Sequence, residues 1–350
     1  MLTVHPKRIL IVKPSSLGDI IHALPTLAAL RTRFPNAWIS WLVKHEWAEI
    51  LEGHPALNEV IPANFSLNKI WGLGCSIRKK KFDVVVDLQG LLRSALLARL
   101  SGAPIVVGFA QGREGSPWFY THRVELPMPK GQSWRLWGMH AVDRNLFLAK
   151  FFGADCDNPE FWLPNLEEDR RAIDKLLKAR KVIENDQLVA MAPLTRQNIK
   201  NWPMERFIQV AKALVGIDHV KVLLIGTENR EVRQQFESAV GSRLVDLMGE
   251  TRVRQIGVLF DRVKLLIAND SAPLHIAAAR EIPILTIFGP TNPSATGPYR
   301  MPPGSRVFTH PLSCRPCGQR TCQNHTPLEC LTSISVQEVV AHAQRVLTES

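Results

Sequence analysis

The sequence predicts an α/β protein built from doubly wound parallel sheets, and three observations predict it. Short β-branched apolar runs alternate with helix-periodic stretches along most of the chain, the pattern of parallel strands joined by crossover helices. The first run, Arg8-Ile9-Leu10-Ile11-Val12, passes directly into a Ser/Gly loop that opens a helix. The chain has 350 residues, beyond the roughly 250–300 at which one core stops growing, so two domains are the default.

The elements follow in order. After the first strand comes the loop Lys13-Pro14-Ser15-Ser16-Leu17-Gly18-Asp19, and Ile20-Ile21-His22-Ala23-Leu24 opens a long apolar-periodic helix ending near Phe34-Pro35. Ile39 to Val43 is a strand, Val60-Ile61-Pro62 a short edge, and Phe82 to Leu88 the clearest central strand. Gln89-Gly90 turns into the helix Leu91 to Leu100, and Ile105 to Gly108 is a further strand. Phe109 to Ser133 is rich in Gly, Pro and Arg and carries Trp118, Phe119 and Tyr120, which reads as a long functional loop or lid. His140 to Phe152 is helical, and Asn158 to Asn165, with two prolines, reads as an interdomain connection. The second half repeats the scheme. Its strands are Leu188 to Ala192, Val220 to Ile225, Leu244 to Leu247, Val263 to Ala268 and Ile282 to Phe288. Its helices are Met204 to Leu214, Glu228 to Val240, one opened by Asn269 to His275, and a last amphipathic one from Val336 to Thr348. The expected architecture is two α/β domains of similar size facing each other across a cleft.

Composition bounds the function. No stretch of about 18 residues is apolar and uncharged, since the best, Leu88 to Gly108, is broken by Arg93 and Arg99. A core strand arrives too early for a signal peptide, so the expected location is the cytoplasm. The net charge of +11 is partly clustered, as in Arg78-Lys79-Lys80-Lys81. An anionic lipid, a nucleic acid or a phosphorylated substrate would each suit it, and a solvated helix end accounts for it equally well. No nucleic-acid-binding motif with interleaved aromatics is present, so nucleic acid is not an expected partner. No G-x-G-x-x-G follows the first strand, which disfavours a dinucleotide-dependent oxidoreductase.

The chemistry gathers at the carboxyl ends of strands, where open α/β sheets bind ligands. The first loop holds a lysine, two hydroxyls and Asp19. Ser16-x-x-Asp19 also fits a capping box, which by itself explains an acid at that position. Three loops of the second half are basic or hydroxyl-bearing: Thr195 to Pro203, Asn269-Asp270-Ser271-Ala272 at a helix start, and Phe288-Gly289-Pro290-Thr291. Singly, Ser271 reads as an N-cap and Gly-Pro-Thr as a rigid turn. Together they suit a phosphate-bearing ligand.

Ile11 to His22 resembles the N-terminal signature of the bacterial heptosyltransferases, glycosyltransferase family 9. Asp87 to Leu91, His140 to Arg144, Lys200 to Pro203, Asn269 to His275 and Phe288 to Thr291 follow in that family's order. The resemblance implies a GT-B fold, with an acceptor domain over residues 1–163, a donor domain over 164–334 and a C-terminal helix over 335–350. It implies inverting transfer of a heptose from ADP-heptose to the inner core of lipopolysaccharide, without metal or cofactor. Asp19 matches the family's catalytic base. Thr195, Lys200, Asp270, Ser271, Ala272 and, more loosely, His275 match its donor contacts. Asp270 would repel a diphosphate and is expected to accept hydrogen bonds from sugar hydroxyls. Glu228 and Glu231 both qualify as the acid on the nucleotide ribose. The implied partners are a nucleotide-sugar donor and an anionic lipid-linked saccharide acceptor, and peripheral contact with the cytoplasmic face of the inner membrane would suit the latter. This chain departs from the family with Ser271-Ala272 in place of Thr-Gly, and with a Thr195–Lys200 loop one residue longer than in some relatives. A UDP- or GDP-sugar donor, or a non-catalytic nucleotide-sugar binding module, are the alternatives on the same fold.

Cys314-x-x-Cys317-x₄-Cys322-x₇-Cys330 offers four thiols. A structural zinc site is one reading. The last two spacings are not those of a standard zinc ribbon, so reduced thiols packing a loop is the favoured one.

Overall fold

The computed structural model describes residues 2–66, 69–129 and 138–349. Two compact units divide the chain, Met1–Pro164 and Asn165–Ser350. In the first, strands β1 (Arg8–Val12), β2 (Trp38–Lys44), β3 (Glu59–Ala63), β4 (Val84–Asp87), β5 (Ile105–Phe109) and β6 (His122–Val124) form one sheet in the order β3-β2-β1-β4-β5-β6. In the second, β7 (Gln187–Ala192), β8 (Val220–Leu224), β9 (Leu244–Asp246), β10 (Val263–Asn269), β11 (Ile284–Ile287) and β12 (Arg306–Phe308) form another, ordered β12-β11-β10-β7-β8-β9. Every pairing is parallel.

Both sheets are therefore wound outward from a central pair, β1/β4 in one and β7/β10 in the other. At such a switch point the crossover helices leave to opposite faces and open a crevice beyond the carboxyl ends. The unbroken apolar runs have the same cause. Leu10, Ile11 and Val12 on β1, and Leu265, Leu266 and Ile267 on β10, are wholly buried because helices cover both faces. Each large aliphatic side chain so buried stabilises the fold by roughly 1.5–3 kcal/mol.

The structure corrects several expectations. The helix after the first loop is two helices, Leu17–Ile21 and Leu24–Arg33. Pro25 has no N–H for the Ile21 carbonyl, so the first helix stops and a second begins with the proline in its first turn. The segment read as a lid is ordered over its described part, with a 3₁₀ turn at Ser116–Phe119 and then strand β6; residues 130–133 of it lie outside the described residues. Helices Glu167–Ala179 and Val253–Phe260 and edge strand β12 are further elements the pattern did not announce. No helix among the described residues is long and apolar enough to cross a membrane.

Burial also builds in a pH dependence. His54 is 3% exposed. Its Nδ1 accepts from the Ala56 N–H at 3.1 Å, so Nε2 carries the proton donated to the Trp162 carbonyl at 2.9 Å. Burial, opposed by that carbonyl, pushes its pKa down to about 4. The unfolded chain then binds the extra proton first, so stability is full above about pH 6.5 and falls as the pH drops toward 4. Between pH 7 and pH 5 the loss is about 2 kcal/mol. Denaturant unfolding of the wild type and His54→Gln at both pH values should show that slope in the wild type and little of it in the variant.

Candidate active site

The first unit builds its site at the β1/β4 switch point. Val12 stands opposite Asp87 at the ends of the two strands. Lys13, only 2% exposed, sends its ammonium across the gap to the Leu88 carbonyl at 3.1 Å, and the Trp41 indole donates to the Lys13 carbonyl at 3.1 Å. The lysine thus ties the two loops together from beneath.

Asp19 sits above it, half-exposed, in the first turn of its short helix. Its Oδ2 accepts from the Ser16 N–H at 3.0 Å and the Ser16 hydroxyl at 2.8 Å. The capping geometry is real, but it occupies one oxygen. Oδ1 has no partner among the described residues. Burial pushes this carboxyl up; the Lys13 ammonium, the two Ser16 donors and His22 outweigh it and hold the pKa well below the usual carboxylate range. Asp19 is a carboxylate at any working pH.

Behind it, the His22 and His140 rings meet edge to face at 5.1 Å, and Asn145 donates to the His22 carbonyl at 3.1 Å. His140 caps the helix Ala141–Lys150 by accepting from the Val142 N–H at 3.1 Å. The His140-to-Arg144 motif thereby anchors a helix against the Asp19 turn.

Asp87 is wholly buried and accepts four hydrogen bonds: from the Gln89 and Gly90 N–H groups at 2.9 and 3.3 Å, and from the Ser94 and Tyr120 hydroxyls at 2.8 Å each. Burial raises its pKa against all four donors. Its work is to fix the loop after β4. Tyr120, which the sequence places in a lid, is the buried end of this network. Its ring lies so close to Gly108 that a Cβ there would stand 2.3 Å from it, so β5 needs glycine at that position.

The second unit repeats the arrangement at β7/β10. Asn269 ends β10, donating to the Pro193 carbonyl at 2.7 Å and accepting from the Trp202 N–H at 3.0 Å, and so holds both ends of the loop after β7. That loop presents Lys200, whose ammonium meets Asp270 Oδ2 at 2.6 Å. Thr291, from the loop after β11, donates to the same oxygen at 2.7 Å. Three loops separated in sequence therefore join at one carboxylate. The sequence did not foresee this pairing: Asp270 Oδ2, expected to wait for sugar hydroxyls, is engaged by Lys200 and Thr291.

Thr195 lies at the start of the same loop; its hydroxyl donates to the Gln197 carbonyl at 2.8 Å, closing a tight turn, while its N–H donates to Asn201 at 2.9 Å. Ser271 is the N-cap of helix Ala272–Ala279, yet its hydroxyl caps nothing and is buried without a partner among the described residues. A plain capping role does not explain it. Ala272 opens the helix, and His275, 7% exposed, lies one turn in. Arg315, which motif reasoning missed, donates to the carbonyls of Gly289 at 2.5 Å and Thr291 at 3.4 Å, and pins the third loop. Glu228 projects from the loop after β8 with its side chain 72% exposed. Glu231 lies in the first turn of the next helix, Arg230–Val240, and lines a surface groove with Ile208 and Lys212.

The four late cysteines are free thiols. They line one cavity of about 310 Å³ beside Ile199, Pro290 and Arg315. Among the described residues, no three His, Cys, Asp or Glu side chains are placed to hold a metal ion.

Comparison with known proteins follows the same lines. Residues 70–327 match the model of glycosyltransferase family 9 (heptosyltransferase). The chain is 28% identical to lipopolysaccharide heptosyltransferase 1 of Pseudomonas aeruginosa over 97% of its own length and 98% of the relative's. A family 9 glycosyltransferase from Veillonella parvula superposes with a TM-score of 0.82 at 24% identity, covering 98% of both chains. The ADP-heptose lipopolysaccharide heptosyltransferase II of Escherichia coli superposes with a TM-score of 0.77 at 22% identity, covering 98% of this chain and 99% of that one. The paired doubly wound sheets are those of the GT-B fold.

Proposed function

This chain belongs to glycosyltransferase family 9, and from that premise we propose that it moves a heptose from ADP-heptose to the inner core of a lipopolysaccharide acceptor. The curated relative's heptosyltransferase activity and the ADP-heptose named for the Escherichia coli neighbour support this donor. The observation that carries the reading is the β7/β10 switch point. There Lys200, Asp270 and Thr291 meet beside a helix N-terminus whose Ser271 hydroxyl has no partner among the described residues. Helix N–H groups and an ammonium at one sheet edge suit a diphosphate.

In the proposed reaction the second unit binds the donor and the first the acceptor. The acceptor oxygen attacks the anomeric carbon as the bond from that carbon to the β-phosphate oxygen breaks. The proton passes to Asp19 Oδ1, and ADP departs with its new charge met by Lys200 and the Ser271 helix start. One displacement inverts the anomeric centre, and the cationic groups take the part a metal plays elsewhere. Asp270 orients the Lys200 ammonium, which keeps further donor directions for phosphate. Thr195 shapes the loop that presents Lys200, and Ala272 lets phosphate approach the helix start. His275 supports that helix from within. Of the two candidate acids, Glu228 suits the ribose, since it projects from a loop at the sheet's carboxyl edge while Glu231 faces a groove beside Lys212.

The test is acceptor-dependent nucleotide release from ADP-heptose, with UDP- and GDP-sugars in parallel and a chelator in one arm. ADP release at least about tenfold faster than UDP or GDP release, an inverted product and indifference to chelator are expected. Equal rates with all donors would remove the ADP assignment. Donor binding without release would favour the binding-module alternative.

A further inference from the structure

We propose that Cys314 and Cys317 form a peroxide-sensitive thiol pair that governs the donor edge of the second unit. They belong to Cys314-Arg315-Pro316-Cys317, a C-x-x-C sequence with a cation between its thiols. Cys314 is exposed and Cys317 half-buried, so an oxidant reaches them from solvent. The other two thiols on the same cavity are engaged otherwise. Cys330 is 8% exposed and packs in the hydrophobic core of the second unit, where burial pushes its thiol up. Cys322 is half-buried, and its sulfur accepts from the Leu328 N–H at 3.3 Å. The oxidant is a hydroperoxide, and the chemistry is a disulfide closure. The Cys314 thiolate attacks one peroxide oxygen, the O–O bond breaks, and the leaving hydroxide departs as water. The Cys317 thiolate then attacks the sulfenic sulfur, the S–O bond breaks, and a second water leaves. The two thiols give up two electrons and two protons, and the peroxide takes both.

The ties of the pair give it a function. The ring closed by a Cys314–Cys317 bond contains Arg315 and Pro316. Arg315 donates to the carbonyls of Gly289 at 2.5 Å, His310 at 3.2 Å and Thr291 at 3.4 Å. Gly318, next after Cys317, donates its N–H to the Pro290 carbonyl at 2.9 Å. The pair is thus fastened to the loop after β11. Pro290 and Ile199 also line the thiol cavity, and they are the chain neighbours of Thr291 and Lys200, which both meet Asp270 Oδ2. That junction is the one found with free thiols. A disulfide admits only a narrow geometry, so the ring resets the backbone that carries these ties, and close packing passes the change to the junction. Oxidation therefore loosens the donor edge. The effect on ADP rests on the donor-site reading above; the thiol chemistry does not.

The experiment treats the full-length reduced protein with hydrogen peroxide and follows three readouts: peptide mass, amide hydrogen exchange and ADP affinity by calorimetry. A peptide joining Cys314 to Cys317, lighter by two hydrogens and reversed by dithiothreitol, is expected. With it, exchange should quicken over residues 195–203 and 288–292, and ADP affinity should fall at least about fivefold. Cys314→Ser and Cys317→Ser should each bind ADP like the reduced wild type and ignore peroxide. Cys75→Ser, at an exposed thiol on another element, should respond as the wild type does. If the reduced protein binds no ADP, the donor reading fails and hydrogen exchange alone decides the thiol proposal. Cys314 and Cys317 surviving peroxide as thiols, or a disulfide that leaves the exchange of both loops unchanged, would overturn it. So would about one zinc ion per chain that shields the pair from peroxide, which would make the cavity a metal site.

Discussion

Asp19→Asn should lower turnover by about 10²–10⁴-fold, the range a positioned general base supplies, while ADP affinity stays near the wild-type value. The variant separates two roles that coincide in one side chain. Oδ2 caps the helix through Ser16, and an asparagine carbonyl can still accept from those donors. What is lost is the charge at the helix start and the basic Oδ1. The first costs about 1 kcal/mol or less in stability. The second, on the proposed mechanism, removes the only step that accepts the acceptor's proton. Steady-state kinetics with a melting curve therefore distinguish the cases, and wild-type turnover in a slightly destabilised variant would leave Asp19 a cap and nothing more. The pH dependence sharpens the test. Because the folded pKa is held below the ordinary value, the associated stability is complete above about pH 4 and is lost as the pH falls through the folded value. No acid limb in kcat/KM should then arise from Asp19 above about pH 4. A carboxylate so weakly basic takes the proton as the glycosidic bond breaks, not before it.

The central strands were legible because burial on both faces forces unbroken apolar runs, as in Ile9 to Val12 or Leu265 to Ala268. The edges were not. Strands β6 and β12 have three residues each and include Arg123 and Arg306, so neither burial nor alternation marks them. Helix Glu167–Ala179 hides for a different reason. Its sequence is dominated by charge, and its inward side includes Asp169, whose carboxylate pairs with the buried Arg254 at 2.5 Å. A buried ion pair reads as surface in a one-dimensional pattern. At the site, the types and order of the residues were legible and the pairing was not. Lys200, Asp270 and Thr291 stand on three separate loops, and their common oxygen exists only once the β7/β10/β11 order is fixed. Asp87 and Tyr120 show the converse. A motif acid that looks reactive is bound by four donors, and a tyrosine in an apparent lid is one of them.

Lys200→Ala should weaken ADP binding by up to about 3–4 kcal/mol and leave adenosine binding nearly unchanged. Two effects add in the variant. The ammonium that would meet the diphosphate is gone, and Asp270, whose side chain is 6% exposed, is left with Thr291 as its remaining side-chain donor among the described residues. An uncompensated buried carboxylate beside the proposed phosphate site would repel the ligand and destabilise the fold. The second effect can be removed separately. Asp270→Asn in the Lys200→Ala background should recover part of the lost ADP affinity and part of the lost stability, although Asp270→Asn alone weakens binding by freeing Lys200 from its orientation. Calorimetry of ADP and adenosine against the wild type, both single variants and the double variant closes the cycle. Equal weakening for both ligands would place Lys200 in the scaffold of the loop and not on the phosphates. Additive losses with no recovery in the double variant would show that Asp270 does not act through Lys200.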